Sequence, residues 1–166
     1  MSYLTKEALL ALGFSQVGDD VKVSPLARLY AIEGSLGHRV RIDDFAILTG
    51  QIELGDDVHV SPFCFLGGTG GRIRLGHGAG MSTHVSLFTK SDDYSRAQAG
   101  PRDKVCGDIT LGRYTILGAQ CVVLPGADIG EGCNFGVGCV VSGAIPAGRA
   151  YVSMGIKMVN VGKGEA

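Results

Sequence analysis

The chain has 166 residues, one domain's worth and enough to build a core. Its 15 basic and 16 acidic residues nearly cancel, which argues against electrostatic capture of nucleic acid or of an anionic membrane surface. Glycine is the outlier at 27 residues, yet 45% of the chain is hydrophobic and tryptophan is absent; that combination excludes both a helical bundle and a flexible low-complexity chain.

The first stretch, MSYLTKEALLALGF, carries the acidic Glu7 and lacks the layout of a signal peptide. No apolar run approaches the roughly 18 residues of a membrane span, so the expectation is a soluble, cytoplasmic protein. Within this stretch Thr5 to Gly13 reads as a short helix, with Thr5 as its N-cap and Gly13 as its stop. A terminal helix of this kind can cover the open apolar end of a repeat array.

From Val17 onward an aliphatic residue returns at every sixth position. The trace runs Val17, Val23, Leu29; then Leu36, Ile42, Leu48, Leu54, Val60, Leu66; then Leu75, Met81, Leu87; then Val105, Leu111, Leu117, Val123, Ile129, Phe135, Val141, Ala147. A small residue often follows, as at Gly37, Gly55, Gly76, Gly112 and Gly130, and a second inward residue, usually small, comes four places on, as at Ala46, Cys64, Cys121 and Cys133. A period of six fits neither an amphipathic helix nor simple strand alternation. It fits short strand, tight turn, short strand, with glycine tolerating positive φ at the corners. This is the hexapeptide β-helix repeat, in which three hexapeptides make a triangular coil of about 18 residues and coils stack about 4.8 Å apart. Four cysteines (Cys64, Cys121, Cys133, Cys139) take the second inward position as small apolar fillers, with Cys106 outside that register. With no CxxC pair, neither a disulfide framework nor a structural zinc site is expected.

The beat breaks three times, each time after the third side of a coil: one extra residue before Leu36, three in the run GGTGG before Leu75, and twelve before Val105. All three should therefore project from one edge. The expected organisation is a single domain over 1–166, with a helical cap at 1–16, coils over 17–92 and 105–152, an inserted loop at 93–104 and a tail at 153–166. The longest break begins within THVSLFTKSDDYSR, where Asp92 and Asp93 stand near His84, Lys90 and Tyr94. A long polar loop on a rigid scaffold is a usual place for function, although paired aspartates also serve simply as turn residues.

With this repeat over nearly its whole length, the chain resembles the hexapeptide-repeat acyltransferases. The resemblance implies a left-handed β-helix, a homotrimer with active sites in the clefts between subunits, and acyl-coenzyme A lying along the edge of the helix. The MSYLTKEALLALGF start and the SDDYS loop are most similar to the N-acyltransferases of dTDP-linked amino-deoxysugars, such as the one in anthrose biosynthesis. In the related galactoside and maltose O-acetyltransferases a loop histidine is the general base; its place falls at or beside Asp92 here, and an asparagine near their acceptor falls at His84. A carboxylate in place of the imidazole suits an amine acceptor, which is a good nucleophile when neutral and needs orientation more than activation.

The resemblance thus implies transfer from acyl-CoA to a sugar amine, with Asp92 or Asp93 orienting the amine and His84 assisting or relaying the proton. Ser86, Lys90 and Tyr94 are candidate acceptor contacts. By family register Ala119, Val137, Ser142 and Gly143 match positions that contact coenzyme A, chiefly through backbone groups. The family's closing motif falls on residues 153–157, where only the basic residue, Lys157, is kept; it could pair with a phosphate. His38, His59 and His77 read as surface positions. A zinc-dependent hydratase of the same fold would need a closely spaced histidine pair, whereas His77 and His84 are seven apart and at different corners, so no metal is expected. Two alternatives stay open: an O-acetyltransferase of this fold with His84 as base, and a non-catalytic β-helix scaffold.

Overall fold

A computed structural model of the protein describes residues 2–95 and 100–153. The six-residue beat folds as an all-β, left-handed parallel β-helix with one short N-terminal helix. Each coil has three sides, and the inward residues stack in register down each side. The first side aligns Val17, Leu36, Leu54, Leu75, Leu111, Ile129 and Ile145. The second aligns Val23, Ile42, Val60, Met81, Leu117, Phe135 and Tyr151. The third aligns Leu29, Leu48, Leu66, Leu87, Val123 and Val141. Side chains alternate across a strand, so one residue of each strand faces the axis and a second inward residue of the hexapeptide packs under the corner; the strand columns from Val23 to Leu117 and from Leu48 to Val123 are buried.

The cap forms as its sequence implies. Thr5 Oγ1 accepts from Ala8 N at 3.2 Å at the start of the helix Lys6–Ala11, and Gly13 ends it at φ +117°. Leu9 is buried, and Leu4 N donates to Val23 O, which seals the first coil. The strand Phe14–Val17 already pairs with the next coil, so the helix begins at Phe14 rather than at Val17.

Glycine has a different task from the one the repeat suggests. The glycines that follow the first-side residues do not carry the corner's positive φ. That conformation falls two residues later, and non-glycine residues often hold it: Asp20, Arg39, Asp57 and Tyr114 all have φ between 55° and 57°. The glycine column is required because neighbouring coils touch there. A Cβ at Gly112 would stand 2.4 Å from Glu131 N, and one at Gly37 would stand 2.6 Å from Asp56 N.

Two register assignments need correction. Val105 keeps the six-residue spacing but is exposed, in a strand outside the coil; the helix resumes at Ile109–Leu111, where Leu111 pairs with Leu75. Leu87 pairs directly with Val123, 36 positions on, where an unbroken coil such as Val123 to Val141 takes 18. The insertion is therefore a whole coil's worth, longer than the twelve residues counted from Val105. Ala147 is also exposed, and Ile145 takes its place in a shortened last coil. The four repeat-register cysteines are buried and free, and burial pushes the Cys64 thiol up to about 11, so it packs rather than reacts.

All three breaks lie on the edge between the third and first sides. The long one leaves as a hairpin: Lys90–Asp92 pairs antiparallel with Lys104–Cys106, so the excursion is wider than residues 93–104. Its root is held by Thr89, a wholly buried threonine whose Oγ1 donates to Gly67 O at 2.6 Å and accepts from Gly70 N at 3.1 Å. The glycine run packs directly on this root, since a Cβ at Gly70 would meet Lys90 Cβ at 2.5 Å.

Two stability outcomes follow from these contacts. Gly112→Ala should lower unfolding free energy in urea by about 1–3 kcal/mol, the usual cost of overpacking, whereas Gly136→Ala, whose added carbon would find its nearest neighbour at 3.3 Å in a side chain, should cost less. Thr89→Val leaves Gly70 N unpartnered and should cost about 1–3 kcal/mol, with Thr89→Ser recovering most of it.

Candidate active site

The hairpin and the edge it leaves enclose an open groove of about 490 Å³. Asp92, Lys90, Tyr94 and Lys104 line it from the hairpin, and Phe88, Val122 and Leu124 give it an apolar floor. The cross-strand register sets Lys104 opposite Asp92, and the lysine Nζ donates to Asp92 Oδ1. That hydrogen bond, more than the lysine's charge, holds the Asp92 carboxyl below its ordinary range, so it is ionised across neutral pH.

Asp93 differs from its neighbour. Its Oδ1 accepts from Ser95 N at 2.9 Å, and its own N donates to Asp103 O at 2.9 Å. The Ser95 hydrogen bonds lower its pKa, and the arrangement is that of an aspartate closing a turn. The two adjacent carboxylates are thus separated by structure into one that lines the groove and one that shapes the loop.

His84 is not in this groove. It stands on the edge between the second and third sides, stacked on Phe63 with ring centroids 4.9 Å apart. Ser86 lies on the third side itself, paired with Phe65 and Val122. The coenzyme A candidates divide in the same way. Ala119 and Val137 share the His84 edge, where Gly138 N donates to Ala119 O and Ser153 Oγ donates to Val137 O. Ser142 and Gly143 share the hairpin edge, and Ser142 borders a second hollow of about 270 Å³ over the last coils, with Val140, Ile145 and Tyr151. Gly143 has φ +71° and open space where a Cβ would project, so its backbone is approachable. Lys157 lies outside the described residues. Among the described residues no group of three or more His, Cys, Asp or Glu is placed to hold a metal ion, and no helix is long and apolar enough to cross a membrane.

Lys104, Thr89 and the Val122–Leu124 floor were not legible as site residues. Lys104 meets Asp92 only through antiparallel pairing, which the six-residue period does not encode. The three sides also differ in outward chemistry. The first two carry ion pairs such as Arg74–Glu53 at 3.2 Å and Arg41–Asp43 at 2.7 Å. The third presents Ile47, Phe65, Val122 and Val140, the last 70% exposed.

No family model matches the chain. It is 29% identical to the dTDP-4-amino-4,6-dideoxy-D-glucose acyltransferase of Escherichia coli, over 85% of this chain and 79% of that protein. Its fold superposes on AntD, an N-acyltransferase from Bacillus cereus, in complex with dTDP and 3-hydroxybutyryl-CoA, with a TM-score of 0.82 and 29% identity over 95% of this chain and 88% of AntD. A cysteine-for-serine variant of AntD in complex with dTDP-4-amino-4,6-dideoxyglucose and coenzyme A matches with a TM-score of 0.79 and 28% identity, over 95% of this chain and 89% of that one. The edge groove, the inserted hairpin and these likenesses over almost the full length agree: the chain is a hexapeptide-repeat β-helix acyltransferase, related to the dTDP-amino-sugar N-acyltransferases.

Proposed function

We propose that the protein transfers an acyl group from acyl-coenzyme A to the amino group of a dTDP-linked amino-deoxysugar. The observation that carries this reading is Asp92, an ionised carboxylate over an apolar floor at the root of the hairpin, in a chain whose structural relatives hold a dTDP ligand and coenzyme A. The amine nitrogen attacks the thioester carbonyl carbon, the C–N bond forms, and the C–S bond breaks. One N–H proton passes in the end to the departing sulfur, giving an amide and a free thiol. Asp92 draws and orients the amine. Because Lys104 holds its carboxyl low, Asp92 is a poor proton acceptor near neutral pH, and we assign the proton to His84. Lys90 and Tyr94 border the acceptor. Asp93 shapes the turn and has no chemical role in this scheme.

His84 and Asp92 stand on the two edges that flank the third side, so the scheme needs two protomers. A closed three-fold assembly with the apolar third side turned inward sets the His84 edge of one protomer beside the Asp92 edge of its partner. Acyl-CoA then lies in that cleft, against Ala119 and Val137 on one protomer and Ser142 and Gly143 on its partner, with Lys157 available to a phosphate. The reaction needs no metal, since an amine and a thioester react without a Lewis acid. Two charged, phosphorylated substrates fit a cytoplasmic setting.

The reading is tested with a panel of amino and hydroxy nucleotide sugars, following thiol release from acetyl-CoA and 3-hydroxybutyryl-CoA. Turnover confined to amino sugars is expected; turnover only of sugars lacking an amine would make the enzyme an O-acyltransferase, and binding of neither substrate would make it a scaffold. Asp92→Asn should lower kcat/KM by about 10²-fold, with little change in thermal midpoint because its partner is an exposed lysine. Asp93→Asn preserves the turn's acceptor oxygen and should stay within a few-fold of wild type. Equal losses in the two variants would remove the distinction drawn between them.

A further inference from the structure

His84 sits where the corner imposes φ +60°, as do Phe45 and Phe63 in the coils before it and Gln120 in the coil after it. The conformation is therefore a demand of the fold at this edge, not a sign of local strain. What distinguishes the position is how the ring is held. One face stacks on Phe63 at an interplanar angle of 14°, and Phe63 stacks in turn on Phe45 at 5.1 Å. The stack fixes the ring plane, and the ring's hydrogen bond selects which of its two flipped orientations the ring adopts.

That hydrogen bond joins His84 Nδ1 to Thr83 Oγ1 at 2.8 Å. The same hydroxyl lies 2.8 Å from Pro62 O and donates to it. A hydroxyl has one proton, and a carbonyl oxygen can only accept. With that proton given to Pro62 O, Thr83 Oγ1 can only accept from the imidazole. Nδ1 must therefore carry a hydrogen. From this chain we infer that Thr83 is a positioning residue that holds neutral His84 as the Nδ1–H tautomer, so that Nε2 keeps its lone pair as the proton acceptor. Free histidine side chains favour the opposite tautomer, in which Nε2 is blocked, and the partner of one ring nitrogen ordinarily decides which form is present.

The inference deepens the acyl-transfer reading and rests on it for its kinetic consequence. In that reaction Nε2 takes a proton from the attacking nitrogen as the C–N bond forms. The imidazolium keeps its Nδ1–H on Thr83 and returns the Nε2 proton to the sulfur as the C–S bond breaks, so the ring ends as it began.

The test is long-range ¹H–¹⁵N correlation spectroscopy of the full chain at mildly alkaline pH, where imidazole rings are neutral, with the His84 signals assigned by their loss in His84→Gln. Expected is a protonated Nδ1 and an unprotonated Nε2 in wild type and in Thr83→Ser, and a shift towards the Nε2–H form in Thr83→Val. With an amino-sugar acceptor, Thr83→Val should lower kcat at least about tenfold with KM for acyl-CoA within about twofold, and Thr83→Ser should restore it. An Nε2–H ring in wild type, or spectra unchanged in Thr83→Val, overturns the inference whatever the enzyme acylates. The predicted spectra with full activity in Thr83→Val would overturn the catalytic use of the tautomer and leave acyl transfer standing. Absence of turnover with every amino sugar would instead remove the acyl-transfer reading and leave the spectroscopic result intact.

Discussion

Each coil rests on the next at strand spacing, and the other features of the molecule are consequences of that contact. Parallel pairing repeats the same residue over the same residue, so an inward position must be filled by a side chain that tolerates its own kind above and below. Leucine, isoleucine and valine meet this on the flat sides, and cysteine, alanine and threonine, together with valine and isoleucine, meet it under the corners. The backbones also approach closely just after the first side, where Gly37, Gly112 and Gly130 leave no room for a side chain. A chain under this constraint cannot add residues inside a coil. It can add them only at an edge, by leaving and returning to the same stacked column, and the hairpin from Lys90 to Cys106 does so between Leu87 and Leu111.

The site inherits its layout from this rule. Groups on one edge of a prism stay on that edge, so the Asp92 groove and the His84 column flank the third side without meeting in one chain. Each is rigid for a local reason. The hairpin is held by Thr89 between Gly67 and Gly70, and the imidazole is held by Phe63 and Thr83. Catalysis by orientation depends on such fixed partners. The division of labour we propose for Asp92 and His84 rests on local chemistry. A carboxylate bonded to a lysine stays charged and attracts an amine, while a neutral imidazole with a free lone pair can take and return a proton.

The fold was legible because its period is written into the chain once per hexapeptide, and the corner that carries the insertions followed from counting sides in threes. The same counting misplaced Val105. Spacing records where an apolar residue stands in the sequence, and a valine in an exposed hairpin strand satisfies the count as well as a buried one. Ala147 failed similarly, since the last coil is shortened and Ile145 pairs with Ile129. At the candidate site, the dipeptide Asp92-Asp93 marked the hairpin that borders the groove but could not reveal which carboxylate faces it. That depends on the antiparallel register with Lys104 and on the turn closed through Ser95, neither of which is periodic. The glycine column was visible, but its cause was not: close approach between coils can be seen only when the neighbouring coil is in place.

The central claim is that the chemistry is assembled from two edges on two protomers. Co-expression of His84→Ala and Asp92→Asn chains, each impaired alone, tests it most directly. If three-fold assemblies form at random and each site takes one edge from each protomer, each mixed trimer should regain one of its three sites, and the whole population about a quarter of the wild-type sites. Activity no higher than the average of the two variants, in a sample shown by native mass spectrometry to contain mixed oligomers, would contradict the account and place both groups, or neither, in the site of a single chain.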